Sequence, residues 1–381
     1  MRSVSIVGSA QLPVKKQYQE GLRQLGGRVA RQALWAAGAD SAQALYLSNM
    51  LADELQDQKQ LAALVADEAG LHGIEALQIR AAMASGAGAL RVGYLAVAAG
   101  LVDSALVVGV EIMSSGVATP ALAKALDAEV EVPDGATMLS QNARLMHDYR
   151  RRYRPPDDAL AHFSVNAHAN AKHNPNALFR DREYTPSDVM NSRLISPPLR
   201  LLDCSPICDG AAAVLLVPTE AAGHYAQKPV HVLASSAATD RFRLADRSDP
   251  LHLAGVRRSS EQVYKLAGVG ADDIDLFEVH DAFSIMACLS LEAAGFALPG
   301  EGWQLAAQGA IGRSGRIPVA TMGGLKARGH PIGATALYQA CEIVQQLSGN
   351  AGLNQIPEAR IALMQSVGGI ASTVISHILA I

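Results

Sequence analysis

The sequence is poor in aromatic and charged residues and contains few cysteines. Among its 381 residues, 4% are aromatic, 18% are charged, 49% are hydrophobic and four are cysteines. The 32 Lys and Arg residues are balanced by 36 Asp and Glu residues, which gives a formal net charge of −4. No general basic field therefore attracts nucleic acid or an anionic membrane. We expect neither as a partner, and any phosphate contact must be local.

No secretory leader and no long uninterrupted apolar run stands out. The opening "MRSVSIVGSAQLP" is typical of a strand followed by a turn, and charge or glycine interrupts each apolar run before it reaches membrane-spanning length. The four cysteines lack the spacing of a secreted disulfide framework; they are Cys204, Cys208, Cys288 and Cys341. These features predict a cytoplasmic protein with reduced thiols.

Strands and helices alternate along the chain, which predicts a layered α/β fold. The predicted strands, such as "SALVVGVEIM" and "AAAVLLVP", are almost wholly apolar, as expected when both faces of a sheet are covered. From about residue 116 to 202 charge, proline and histidine increase, which indicates an inserted, mostly helical region. Strand-rich sequence then resumes with "PVHVLASSAATD", "IDLFEVHDAF", "ARIALMQSVGG" and "ASTVISHILAI".

The two halves of the chain share a weak internal repeat. In each, a chemically interesting residue precedes a turn containing Gly-Ala, a long apolar helix and a strand, and these residues are Met83 of "MASGAGAL" and His330 of "HPIGATAL". If the halves pack about a pseudo-twofold axis, two helix N-termini point toward one central site. Such a site is suited to stabilising an oxyanion.

Several motifs together resemble the thiolase superfamily, and specifically its archaeal and sterol-carrier-protein branch. They are "GVEIMSS", "NAHANAKHNPNALFR", "DCSPICDGAAAVLL", "EVHDAFS" and "GGLKARGHPIGATALYQ", and they span nearly the whole chain. The resemblance implies a duplicated five-layer αβαβα fold with a loop domain, divided here into residues 1–228 and 229–381. It further implies an acyl-CoA substrate, C–C bond chemistry, no tightly bound cofactor besides the coenzyme A of the substrate, and a homodimer or homotetramer.

The resemblance also implies roles for residues in the two histidine motifs. His330 matches the "GHP" histidine that activates the nucleophilic thiol and helps to hold the thioester oxygen, with Gly329 and Pro331 beside it at the substrate. His280 matches the residue that completes the oxyanion site, and Phe283 follows it as a substrate-binding residue. No metal is implied.

Both catalytic cysteines of the family are replaced in this chain. The nucleophile falls on Met83, and the second cysteine falls on Ser366 of "SVGG". The backbone N–H groups of Met83 and Gly368 are the expected oxyanion donors. Some relatives carry a substitute thiol inside the "HDAF" motif, but that position is Ala282 here. A thioether has no dissociable proton, so Met83 cannot become the thiolate that forms an acyl-enzyme.

Other nucleophiles and other site types are weaker candidates. Ser85 lies close to Met83 but is expected to point away from the site, and Cys341 is expected to pack in the core. His168 and His173 lack further ligands at the spacing of a metal site. The arginine-rich run at 149–156 is typical of a solvated helix face, although it could meet the nucleotide phosphates of CoA.

Three interpretations remain open. The first is an enzyme that carries out aldolase-like or lyase-like C–C chemistry on an acyl-CoA without a covalent intermediate, alone or with a small acyl-CoA-binding partner protein. The second is a catalytically silent acyl-CoA-binding or scaffold subunit of an active enzyme. The third is an ordinary acetyl-CoA acetyltransferase whose position 83 has been altered. Retention of both histidines favours the first.

Overall fold

The computed structural model describes residues 1–226 and 228–381. Eleven strands and twelve α-helices are found in this part of the chain. The strands are β1 Val4–Gln11, β2 Ala44–Ser48, β3 Glu75–Ile79, β4 Ala105–Ile112, β5 Leu194–Ser196, β6 Leu199–Arg200, β7 Asp209–Pro218, β8 Val230–Thr239, β9 Leu276–Glu278, β10 Ile361–Gly368 and β11 Thr373–Ala380. The helices are α1 Leu22–Ala37, α2 Ala52–Leu55, α3 Leu61–Glu68, α4 Ser85–Ala99, α5 Ala118–Ala123, α6 Met138–Tyr153, α7 Ala161–Ala171, α8 Pro186–Asn191, α9 Ala254–Ala267, α10 Ser284–Ala293, α11 Gly302–Ala307 and α12 Thr335–Leu347.

Nine of the described strands form one mixed sheet, in the order β3-β2-β4-β7-β1-β8-β11-β10-β9. The halves meet at a short antiparallel seam in which Val4, Ser5 and Ile6 of β1 pair with β8. Outward from this seam, each half has its first strand, its last strand and then its middle strands, so the order is nearly palindromic. This arrangement is what a duplicated unit related by a pseudo-twofold axis produces.

The helices and the two half-sheets together form five layers. Helices α1 and α3 pack on the outer face of the first half-sheet, and α9 and α10 pack on the outer face of the second. Between the two half-sheets lie α4 and α12, which contact each other and strands of both halves. All residues of α12 except Gln345 are buried, because a helix enclosed on both sides has no solvent face. The predicted duplicated five-layer αβαβα fold is confirmed.

The same enclosure explains the most apolar stretch of the chain. Residues 82–99 are long and apolar enough to cross a membrane by composition alone, but 67% of this stretch is buried inside the protein. It contains α4, whose glycines and alanines face α12 and the sheet. The apolar character of this helix thus follows from its place in the middle layer.

The inserted region is mostly helical, as predicted. Residues 116–202 contain α5, α6, α7 and α8 together with the small antiparallel pair β5–β6. Helix α6 packs against this pair and against α10, and α7 packs against the turn that precedes His330. The insertion therefore covers the end of the layers at which the two histidine motifs lie.

The strand-rich sequence "IDLFEVHDAF" contains β9, which is short and ends at Glu278. Beyond β9, the amide of Gln339 donates to the carbonyls of Glu278 and Val279, both at 3.1 Å. Side chains thus take the place of a neighbouring strand, and the chain leaves the sheet before His280.

Substitution of Gly86 tests the close contact between the two middle helices. A Cβ at this position would lie 2.9 Å from the Cβ of Ala336 and 2.9 Å from the carbonyl oxygen of Gly333. Gly86→Ala should therefore lower the free energy of unfolding by about 1–3 kcal/mol, measured by urea denaturation. Gly223→Ala is the matched control, since a Cβ at Gly223 would meet nothing within 4 Å. Equal stability of both variants would contradict this packing.

Candidate active site

A cavity of about 290 Å³ lies where the insertion meets the ends of the middle helices. Its wall includes Met83, His280, Phe283 and His330, which come from three separate points of the sequence. Much of the remaining wall is apolar and contains three further methionines, which are Met113, Met138 and Met286. The cavity therefore brings together both histidine motifs and the residue at the nucleophile position.

Met83 is held at the beginning of α4 by a constrained turn. The preceding residue, Ala82, has φ +49°, a left-handed conformation that is rare for a residue with a Cβ. The hydroxyl of Ser85 accepts a hydrogen bond from the Ala81 N–H at 2.9 Å and donates one to the Ala82 carbonyl. Because these backbone groups occupy the Ser85 hydroxyl, which is fully buried, Ser85 is a poor nucleophile.

His330 is positioned by its own backbone and by Thr335. Gly329 has φ +116°, and a Cβ there would lie 2.6 Å from a methyl carbon of Val14. The hydroxyl of Thr335 donates to the Pro331 carbonyl at 3.1 Å and lies 2.7 Å from Nδ1 of His330. We assign the single hydroxyl proton to the Pro331 carbonyl, so that Thr335 accepts the Nδ1 proton of His330. This tautomer leaves Nε2 of His330 as a proton acceptor, and His330 lines the cavity.

His280 lies beside His330 and is also buried. The two ring centroids are 5.1 Å apart and the ring planes are nearly perpendicular, at 86°. Burial, and then the charge of Lys326, lowers the pKa of His280 to about 3. Burial, followed by His280 and Arg328, likewise lowers the pKa of His330 well below its ordinary value. Both imidazoles are therefore neutral near pH 7, and each can accept a proton or donate a single N–H.

The cavity contains a thiol, but not a reactive one. Of the cysteines in the described chain, Cys204 alone lines the cavity. Its Sγ donates to the Arg200 carbonyl at 3.3 Å, and burial raises its pKa to about 12. The thiolate, which is the nucleophilic form, is therefore scarce at neutral pH. Cys208 lies behind the site, where its Sγ accepts the N–H of His330 at 3.1 Å.

The other residues implied by the resemblance lie next to the cavity rather than in its wall. Gly329 and Pro331 flank His330. Ser366 is buried in β10 and its hydroxyl donates to the side chain of Gln339 at 3.3 Å. Gly368 abuts the turn before Met83, because a Cβ at Gly368 would lie 2.6 Å from the Ala81 carbonyl oxygen. The roles of these four residues stay predictions.

Sequence analysis missed three features of this site. Cys204 is predicted only to be a reduced thiol, and nothing in its spacing reveals that it lines the same cavity as the two histidines. The link from Thr335 to His330 has a detectable signal, because a hydroxyl five residues after the histidine begins α12 and can reach back one turn. The further methionines of the wall come from distant elements, so only the fold reveals them.

The remaining candidates have local roles. His168 is buried and packs edge-on against Tyr184, with ring centroids 4.7 Å apart. In residues 1–226 and 228–381, no group of three or more His, Cys, Asp or Glu residues could hold a metal ion. In the arginine-rich run, Arg152 forms an ion pair with Asp249 at 2.7 Å.

Comparison with known proteins agrees with this architecture. The family model "Thiolase, N-terminal domain" matches residues 4–194, and "Thiolase C-terminal domain-like" matches residues 236–381. The chain belongs to the thiolase family. An acetyl-CoA acetyltransferase of Methanothermobacter thermautotrophicus is 41% identical over 381 residues, which cover 99% of each chain. Sterol carrier protein 2 of Oryctolagus cuniculus is 30% identical over 78% of this chain and 57% of that protein.

Solved structures show the same fold. A structure titled "Ltp2-ChsH2(DUF35) aldolase" aligns with a TM-score of 0.86 over 99% of this thiolase-family chain and 97% of the other, at 22% sequence identity. This likeness concerns the fold. The family models and the acetyl-CoA acetyltransferase relative place the chain in the thiolase-like family of acyl-CoA enzymes.

Replacement of Thr335 tests the tautomer of His330. Thr335→Val keeps the shape of the side chain but removes the acceptor for the Nδ1 proton, so part of the proton population should move to Nε2. The ring ¹⁵N chemical shifts of His330 report this change directly. Thr219→Val is the control, since it removes a hydroxyl contact with Ser5 in another part of the fold. Unchanged His330 shifts in Thr335→Val would refute the assigned tautomer.

Proposed function

We propose that this thiolase-family chain makes or breaks a C–C bond of an acyl-CoA by aldolase-like chemistry, without forming an acyl-enzyme. The observation that carries the proposal is the pair of neutral, buried histidines beside a thioether at the nucleophile position. A thioether cannot be acylated to a stable thioester. Enolate chemistry needs only a base and an oxyanion site, and the cavity offers groups for both.

In the cleavage direction the substrate is a β-hydroxyacyl thioester. Nε2 of His330 accepts the proton of the β-hydroxyl, the bond between the α and β carbons breaks, and a new carbonyl forms at the β carbon. The electron pair of the broken bond becomes an enolate whose charge rests on the thioester oxygen. An N–H of His280 donates to this oxygen. His330 then returns its proton to the α carbon, so the reaction needs neither water nor an oxidant.

The middle helices add to the stabilisation of the enolate. Met83 lies two residues before the first residue of α4, and His330 lies five residues before α12. The N-terminus of a helix carries a partial positive charge, which favours an anion placed against it. The backbone N–H groups of Met83 and Gly368 are the further donors that we propose.

We further propose that the working protein is a homodimer or homotetramer that can recruit a small acyl-CoA-binding partner protein. Support for a partner comes from the structure of the same fold whose title joins Ltp2 to ChsH2(DUF35). The substrate brings its own coenzyme A, and the proposed reaction calls on no tightly bound cofactor.

Substitution of Met83 separates the proposed chemistry from thiolysis. The native protein should release an aldehyde and acetyl-CoA from a 3-hydroxyacyl-CoA, but should not cleave acetoacetyl-CoA with CoA. Met83→Cys restores a thiol at the beginning of α4, and its intact mass should increase by one acetyl group on incubation with acetyl-CoA. His330→Ala should lose the aldol activity while its circular dichroism stays native.

The outcomes distinguish the three interpretations of the sequence. An acetylated native protein would overturn the proposal and point to an ordinary acetyltransferase reaction. A native protein that binds CoA but remains inactive, even after addition of candidate partners, would favour a silent subunit. Aldehyde release that persists in His330→Ala would remove His330 from the mechanism.

The cavity also predicts the class of acyl group. A cavity volume of about 290 Å³ exceeds what an acetyl group fills. No Asp, Glu, Lys or Arg of the described chain lines it. We expect a neutral, apolar acyl group longer than acetyl, whose binding by calorimetry strengthens by up to about 0.8 kcal/mol per added methylene. Met286→Trp should abolish this gain while leaving acetyl-CoA binding intact, and equal binding of acetyl-CoA and octanoyl-CoA would contradict the prediction.

A further inference from the structure

Buried charges lie directly behind the two histidines. The turn Gly324–Arg328, which leads into His330, is unusually wide: the N–H of Arg328 bonds to the Gly323 carbonyl five residues before it, at 3.2 Å. Its two cations, Lys326 and Arg328, have 1% and 0% of their surface exposed. Full burial of a cation is costly unless partners hold it, so the partners of these two residues show what the turn is attached to.

The two cations attach the turn to different elements. Nε of Arg328 lies 3.1 Å from a carboxylate oxygen of Glu342, and its guanidinium lies over the ring of Tyr338, both in α12. Nζ of Lys326 instead donates to the backbone carbonyl of Asp281 at 2.6 Å. Arg328 therefore fastens the turn to the helix that follows His330, and Lys326 fastens it to the residue that follows His280.

Asp281 is held at two points by the same turn. Besides the Lys326 contact to its carbonyl, its side chain accepts the backbone N–H of Leu325 at 2.7 Å. Asp281 is 2% exposed, and a Cβ at Gly324 would lie 2.6 Å from its carboxylate oxygens. The two segments are therefore in direct contact, and the position of Asp281 follows the position of the turn.

His280 depends on this attachment in a way that His330 does not. The ring of His330 is oriented by Thr335, whereas the ring of His280 makes no hydrogen bond to any described residue, and its Nδ1 is buried without a partner. The ring of His280 is thus placed by its backbone and by packing. That backbone is held on both sides: Gln339 binds the carbonyl of Val279, and Lys326 binds the carbonyl of Asp281.

We propose that Lys326 is a positioning residue, which holds His280 at its distance from His330 by binding the Asp281 carbonyl. This inference rests on the proposed function and deepens it, because it names the group that keeps the two imidazoles at a fixed distance from each other. The charge of Lys326 contributes a second effect, because it opposes protonation of the neighbouring His280 ring. Burial lowers the pKa of Lys326 itself, and the nearby carboxylates of Asp281 and Asp203 oppose this by favouring the ammonium.

The test compares Lys326→Met with Arg328→Met in the full-length protein. Both remove one buried cation from the same turn, but only Lys326→Met releases the Asp281 carbonyl. We expect the ring ¹⁵N and ¹H signals of His280 to move in Lys326→Met and to stay in place in Arg328→Met, with assignments taken from His280→Asn. A displacement on the order of 1 Å should also reduce C–C turnover about 100-fold.

A double variant separates the positioning of His280 by Lys326 from the effect of Lys326 on the buried carboxyl of Asp281. Burial raises the pKa of Asp281, and Lys326 opposes this by favouring the carboxylate. Lys326→Met removes that cation, so Lys326→Met/Asp281→Asn should recover thermal stability. If Lys326 acts as a positioning residue, the His280 signals stay displaced in the double variant, because the carbonyl is still unbound. If Lys326→Met does not fold, the His280 signals of the double variant alone test the proposal.

Two results would overturn the proposal: native-like His280 signals in Lys326→Met, or recovery of those signals in the double variant. The spectra do not depend on turnover, so this outcome is separate from failure of the proposed reaction. Displaced His280 signals in a protein that lacks aldol activity would support the positioning role and reject the chemistry.

Discussion

The site depends on the attachment of Gly333 to the first half of the chain. Gly333 lies in the short turn between His330 and α12, yet its N–H donates to the buried carboxylate of Glu111 at 2.8 Å and its carbonyl accepts the hydroxyl of Ser48 at 2.6 Å. Glu111 also accepts the N–H groups of Met50 and Leu51. A single carboxylate thus holds together loops of both halves, and the turn after His330 cannot move without breaking several buried hydrogen bonds.

Glu111 shows how burial and hydrogen bonding oppose each other at this junction. Burial raises the pKa of its carboxyl to about 7, although three backbone N–H groups favour the ionised form. The same conflict recurs behind the cavity, where burial raises the pKa of Glu278 to about 7 and that of Glu342 to about 8. Such groups add little net stability. These carboxyl groups instead fix the positions of backbone segments that lie outside the helices and strands.

Much of the architecture follows from local sequence. The apolar strands, the helix that begins beside Met83 and the polar insertion each carry their own pattern, and the repeat predicts that Met83 and His330 share a site. Other features arise only from tertiary contacts. Where the short strand β9 ends, Gln339, which lies about 60 residues further on, binds the carbonyls of Glu278 and Val279. No sequence pattern marks Cys204 or Lys326. Only the folded structure shows that Cys204 lines the cavity and that Lys326 binds the residue after His280.

The middle layer also has a consequence for how the chain folds during synthesis. Helix α4 and the edge of β1 are made more than 130 residues before β8 and well before α12. Until those elements emerge, an apolar helix and an unpaired strand edge remain open to solvent and to other nascent chains. Because the halves have similar topology, the second half of a neighbouring chain could occupy the open surface. The duplication that creates the site thus makes correct intramolecular assembly compete with pairing to the wrong copy.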